Sequence, residues 1–200
     1  MPVVAETDRV VVRTFRSEDA ADAHAWYADP EVARYTLWEP HTREETEARV
    51  RRLAAIVPPG VVGEWAEYAV ELTEEGRVVG SVSLKIDDDV SRQAELGWFF
   101  APRYQGRGLA TEATAALMRY GVGLGVHRFY AVADPRNIAS TRLMERLGMR
   151  REGYFRERMF YKGEWSDDVV YGVLARELGG AAGGEGAPAV LPVADAGGDG

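Results

Sequence analysis

Apolar positions along the chain change their period several times, and each change predicts an element. Arg9 to Phe15 is β-branched around Val10, Val11 and Val12 and reads as a first strand. Ser17, followed by Glu18 and Asp19, is expected to open a helix, because a hydroxyl can cap free amides and acids suit the positive end of the helix dipole. Asp29-Pro30 is expected to end it. Thr42 and Glu45 stand at capping-box spacing and predict a second helix reaching about Ile56, ahead of Pro58-Pro59-Gly60. Glu67 to Leu72, Val78 to Ile86 and Ala94 to Phe100 then read as an antiparallel meander, with polar turns at Glu74 to Arg77 and Asp87 to Asp89.

From Leu109 the spacing becomes helical, with Leu109, Ala113, Leu117, Tyr120 and Leu124 on one stripe. Arg128 to Ala133 is a strand, broken by Asp134-Pro135-Arg136-Asn137. A short helix follows with Leu143, Met144 and Leu147 inward and Gly148 as its stop. Met149 to Tyr161 and Trp165 to Leu174 close as a hairpin across Lys162-Gly163. The expected fold is mixed α/β: one mostly antiparallel sheet with about four helices.

Residues 1–178 are expected to form one domain. Gly179 to Gly200 carries eight glycines and no apolar period, and is expected to be a disordered Gly/Ala-rich tail. Composition removes several function classes. With no cysteine there are no disulfides, thiolate catalysis or zinc–thiolate sites, and His24, His41 and His127 do not fall at metal-ligand spacing, so no metal is expected. A net charge of −8 argues against a nucleic-acid partner. No run approaches the ~18 apolar residues of a membrane span, and the first residues do not read as a signal peptide, so the cytoplasm is the expected location.

The stretch richest in chemistry is Arg103-Tyr104-Gln105-Gly106-Arg107-Gly108-Leu109-Ala110, between a strand and a long helix. A helix start presents free amides and a positive dipole end, and glycines let phosphate oxygens approach the main chain. Arg103 or Arg107 could add charge-assisted bonds. The nucleotide P-loop pattern is absent, and the dinucleotide fingerprint fails because Thr111 stands where its third glycine would be.

This segment resembles the Arg/Gln-x-x-Gly-x-Gly/Ala motif of the GNAT acetyltransferase superfamily, in two registers, Arg103 to Gly108 and Gln105 to Ala110. From about Val10 to Ala175 the chain resembles the branch containing ribosomal-protein N-terminal acetyltransferases. Arg13 to Asp19, Ala28 to Val32, Ala94 to Trp98, Asn137 to Ser140, Leu147 to Met149 and Gly163 to Asp168 carry that likeness. The resemblance implies acetyl-CoA, the acyl donor, held in a V-shaped opening between the fold's fourth and fifth strands. The backbone around Trp98, Phe99 and Phe100 would meet the pantetheine arm, the amides of Gln105, Gly106, Arg107, Gly108, Leu109 and Ala110 the diphosphate, and Asn137 the far side of the cofactor.

Attack on a thioester needs a neutral amine, and the departing thiolate is helped by a hydrogen-bond donor. Many superfamily members use a tyrosine as that donor, but Met144 stands here; Ser140, one turn earlier, resembles the serine of some N-terminal acetyltransferases. The alternative is that Asn137 and Ser140 only cap a helix. Glu95 is the candidate base, with a structural carboxylate as its alternative. Asp168 reads as structural, and the five tryptophans as packing, although Tyr35 and Trp38 could line an acceptor pocket. The arginines at 142, 146, 150 and 151 read as a solvated face, or as a contact for the cofactor's 3′-phosphate. The expected reaction is acetylation of a protein N-terminal α-amine by a monomer or homodimer. The alternatives are a small amine (aminoglycoside or polyamine) as acceptor, or an acyl-CoA-binding module without turnover.

Overall fold

The computed structural model describes residues 2–178, so the expected Gly179–Gly200 tail lies outside the described residues. In chain order the elements are β1 (Val3–Glu6), β2 (Val10–Arg13), α1 (Ala20–Tyr27), α2 (Pro30–Ala33), α3 (Arg43–Ala54), β3 (Ala66–Leu72), β4 (Arg77–Ile86), β5 (Gln93–Phe100), α4 (Leu109–Gly123), β6 (Arg128–Ala133), α5 (Ile138–Arg146), β7 (Arg150–Tyr161) and β8 (Glu164–Leu174). One eight-stranded sheet runs β1-β2-β3-β4-β5-β6-β8-β7. Every neighbouring pair is antiparallel except β5 and β6. The expected mixed α/β sheet with four substantial helices is what forms.

Local signals account for most boundaries. Thr42 Oγ1 accepts from the Glu45 amide at 3.2 Å while the Glu45 carboxylate accepts from the Thr42 amide at 2.7 Å, closing the capping box of α3. Lys162 and Gly163 have φ of +50° and +82°, as a two-residue hairpin between β7 and β8 requires.

Three local expectations need correction. Ser17 begins a single 3-10 turn and caps nothing; the Asp19 carboxylate accepts the Arg16 amide at 2.7 Å instead. Asp19 is held there because Arg13, only 2 % exposed, donates to it at 2.7 and 2.9 Å and to Glu71 at 2.7 Å. A buried guanidinium needs such partners, and that demand overrides the local preference of serine. Secondly, Pro30 ends the first helix but also opens α2, with the Asp29 carboxylate accepting from the Glu31 and Val32 amides at 2.9 and 3.1 Å. Thirdly, β1 was not expected; four residues with no buried position carry no readable period.

Directly opposed residues share a sheet face. Glu67, Ser83 and Gly97 therefore look one way, and Tyr68, Val82 and Trp98 the other. The first face is covered by α1 and α3, whose Tyr27 and Arg49 bond to Glu67. The second carries α4 and α5: Tyr120 of α4 acts on Tyr68, and Ser140 of α5 meets Trp98. The core fills both interfaces, with Trp26, Tyr27, Tyr68, Leu117, Phe129 and Met144 essentially without exposure.

The parallel pair sets up the site. β5 pairs β6 only from Gln93 to Glu95, whereas its other edge stays paired to β4 as far as Phe100. Beyond Glu95 the two strands part, leaving the edge from Leu96 to Phe100 facing an opening. With β1 counted, these are the strands expected to splay. No helix among the described residues is long and apolar enough to cross a membrane.

Candidate active site

A cavity of about 780 Å³ occupies the fork and extends across both faces of the sheet. One arm ends at the glycine loop, where Tyr104, Gln105, Gly106, Gly108, Leu109, Ala110 and Thr111 line it. Gly106 and Gly108 have φ of +72° and +79°, a left-handed conformation that any side chain would strain. Nothing lies within 4 Å of where a Cβ at Gly106 would stand, so space there is open to a ligand. Gly108 caps α4 without a side chain, leaving the amides of the first turn unclaimed by a local acceptor. This arm fits a diphosphate: adjacent free N–H groups, a helix dipole and no side chain in the way.

Neighbours brace the loop. The Gln105 carboxamide donates to the Phe100 carbonyl at 2.9 Å, and the Gln105 amide to the Pro102 carbonyl at 3.1 Å. That amide therefore already has an acceptor within the loop. Arg9 donates to the Arg107 carbonyl at 3.2 Å and to Glu112 at 2.7 Å, while Thr7 donates to Glu112 at 2.6 Å. Burial works against ionising Glu112, but the bonds from Thr7 and Arg9 outweigh it and hold the carboxyl below its ordinary range. An acid in the first turn is thereby occupied before an anion arrives.

Neither Arg103 nor Arg107 directs its side chain at the cavity. Both guanidinium groups stack on Tyr104, at 4.6 and 5.5 Å from the ring centre, and Arg107 lies 4.0 Å from Glu75. The cavity's cations on this side are Arg142 and Arg146 of α5.

In the middle, Trp98 reaches across the fork and donates from Nε1 to Ser140 Oγ at 3.3 Å. Asn137 caps α5, its Oδ1 accepting from the Ser140 amide at 3.1 Å, and both residues line the cavity. Met144 is buried beneath them. Glu95 sits at the last paired position of β5, where the strands separate. Lys85 Nζ stands 3.1 Å from its carboxylate, and the Tyr130 hydroxyl donates to it at 3.4 Å. Burial, a bond to Asp87 at 2.9 Å and the charge of Glu95 all push the Tyr130 phenol up. Glu95 and Ser140 thus face the cavity from opposite sides of the sheet.

The second arm lies on the α1/α3 face and is walled by Tyr35, Trp38, Trp65, Arg49 and Glu67. Trp38 packs edge-on to Phe99 at 5.7 Å, and Lys85 lies over Trp65 at 5.3 Å. Trp65 and Trp98, expected as packing, line one cavity with Trp38, for which a pocket wall was the alternative. Glu67 was missed. It is 5 % exposed and accepts from the Tyr27 hydroxyl at 2.5 Å, Ser81 Oγ at 2.7 Å and Arg49 Nη2 at 2.8 Å. An acid among the apolar residues of Ala66 to Leu72, a run it shares with Glu71, was the available signal. Burial and the Glu67 charge push the Tyr27 phenol up, while burial and the Arg49 charge push His41 down. The hairpin tip fastens this wall: Lys162 Nζ donates to the carbonyls of Ala33 at 2.7 Å and Trp38 at 3.1 Å. Asp168 pairs with Arg158 at 3.1 Å within the same hairpin.

Comparison with known proteins agrees with this geometry. Residues 9–150 match the model of the acetyltransferase (GNAT) domain. An uncharacterized N-acetyltransferase of Bacillus subtilis, YnaD, is 32% identical over 86% of this chain and 96% of its own length. Two Escherichia coli relatives are the ribosomal protein uS5 alanine N-acetyltransferase, 29% identical over 82% of this chain and 87% of its own, and spermidine N(1)-acetyltransferase, 28% identical over 80% and 83%. The crystal structure of a GNAT-family acetyltransferase from Bacillus anthracis superposes with a TM-score of 0.77 at 30% identity, covering 86% of this chain and 98% of that one. The splayed strands, the left-handed glycines at a helix start and these matches lead to one conclusion: the chain is an acetyltransferase of the GNAT family.

Proposed function

We propose that the enzyme moves the acetyl group of acetyl-CoA onto the α-amine of a protein N-terminus. The observation that carries the acceptor class is the state of the cavity's acids. Glu67 is bonded to Arg49, Glu95 to Lys85 and Asp134 to Arg136 at 2.6 Å. A polycation is recognised by several free carboxylates, and each of these already has a cation beside it. Walls of tyrosine and tryptophan instead suit a single amine carried by an extended chain with apolar side chains.

In this reading the amides of Gly106, Arg107, Gly108, Leu109 and Ala110 hold the diphosphate, and Arg142 and Arg146 meet the 3′-phosphate. The open edge of β5 at Trp98, Phe99 and Phe100 lines the pantetheine arm, with Asn137 opposite, and places the thioester in the fork. Main-chain N–H groups of that edge stabilise the oxygen of the tetrahedral intermediate. Glu95, directly or through a water, takes the proton lost by the amine as its nitrogen bonds to the carbonyl carbon. The carbon–sulfur bond then breaks, sulfur keeps the electron pair, and the Ser140 hydroxyl donates a hydrogen bond to it.

The test is thiol release from acetyl-CoA with N-terminal peptides, lysine peptides, spermidine and an aminoglycoside. N-terminal peptides should give the highest kcat/KM, rising with pH to a plateau above ~8, where an α-amine is neutral. Spermidine or an aminoglycoside turning over faster than every peptide would overturn the acceptor assignment.

A further inference from the structure

We infer that Trp98 is a positioning residue that aims the Ser140 hydroxyl hydrogen at the departing sulfur; this rests on the reading of Ser140 as the donor. A serine hydroxyl has one hydrogen that rotates to whichever acceptor is nearest, and two lone pairs. In a helix the usual acceptor is a carbonyl three or four residues earlier. Thr141, the next residue of α5, does this, donating to the Ile138 carbonyl at 3.2 Å. A Ser140 hydroxyl turned the same way would be lost to a ligand.

Trp98 opposes that outcome. Its indole N–H donates and cannot accept, so at 3.3 Å it occupies a lone pair of Ser140 Oγ and repels the hydroxyl hydrogen. Asn137 takes the serine's main-chain N–H at 3.1 Å and fixes the first turn of α5. Among the described residues no acceptor takes the Ser140 hydroxyl hydrogen. Accepting one bond also polarises the O–H and strengthens the bond it donates. The Trp98–Ser140 contact joins β5 to α5 across the fork, in the same cavity that the glycine loop lines.

The step balances without a proton from serine. The amine nitrogen bonds to the carbonyl carbon, its proton passes through Glu95 to solvent, and the carbon–sulfur bond breaks with both electrons on sulfur. A thiol of pKa ~8.5 is an adequate leaving group as a hydrogen-bonded thiolate, later protonated by water.

Trp98→Phe removes the N–H and keeps the ring, and is compared with Ser140→Ala and the double variant. Measured quantities are kcat and KM from thiol release and the acetyl-CoA Kd by calorimetry. Trp98→Phe should lower kcat about tenfold and Ser140→Ala about thirtyfold, with Kd changing less than about twofold, since the lost bonds act on the transition state. The double variant should be no slower than Ser140→Ala, because both changes disable one donor. Losses that multiply, or a Trp98→Phe enzyme with normal kcat beside an impaired Ser140→Ala, overturn the positioning role. Ser140→Ala at the parent kcat would instead remove the serine from the mechanism.

Discussion

The two arms of the cavity are made of different material. The arm at the glycine loop is main chain: two left-handed glycines, a helix start and an open strand edge, all within Leu96 to Ala110. The arm under α1 and α3 is side chain: Arg49 and Glu67 line it with Tyr27 and Ser81 behind them, and these residues of α3, β3, α1 and β4 complete one another's bonds. An arm of backbone tolerates many side-chain identities around it but no change of conformation. An arm of interlocked side chains is altered in shape and charge by single substitutions.

The comparison can be broken at either end. Gly106→Glu combines a strained φ with a carboxylate in the anion site and should weaken acetyl-CoA binding about a thousandfold, read by calorimetry. Unchanged binding would mean the diphosphate sits elsewhere. Glu67→Ala leaves the Arg49 charge without its partner beneath the second arm and should cost about 3 kcal/mol of unfolding free energy in urea. A loss under about 1 kcal/mol would show that this cluster does not hold the wall together. Trp38→Ala should raise the acceptor KM about tenfold while the acetyl-CoA Kd stays put, separating the arms in one variant. Replacing Arg142 and Arg146 by Ala should weaken acetyl-CoA about fivefold and leave its dephospho form unaffected, the smallest effect because both are solvent-facing. Equal loss for both forms would move these arginines off the 3′-phosphate.

That difference in material also decides what could be read from the sequence. The capping box at Thr42 and Glu45, the turn at Lys162-Gly163 and the Gly106-x-Gly108 loop are local, so a few adjacent residues contain their cause. Arg103 and Arg107 were legible as cations but not as to direction: each lies over the ring of Tyr104. Ser17 looked like a cap because its neighbours were considered without Arg13, whose buried charge claims Asp19. Glu67 depends on partners up to 40 residues away, and no spacing rule ties Tyr27 to it. Three tryptophans lining one cavity is likewise a property of the sheet order, since Trp38 meets Phe99 only once β5 and the segment after α2 are stacked.

The lysine at the hairpin tip has a bearing on truncated chains. Its ammonium ties down carbonyls 129 and 124 positions earlier in the chain. Among the described residues the glycine loop takes no bond from this lysine, whereas Ala33 and Trp38, which precede that loop in the chain, receive this fastening from residue 162. A chain cut short of that hairpin would therefore leave the Trp38 segment without this fastening, while the loop kept its bonds from Arg9 and to Phe100.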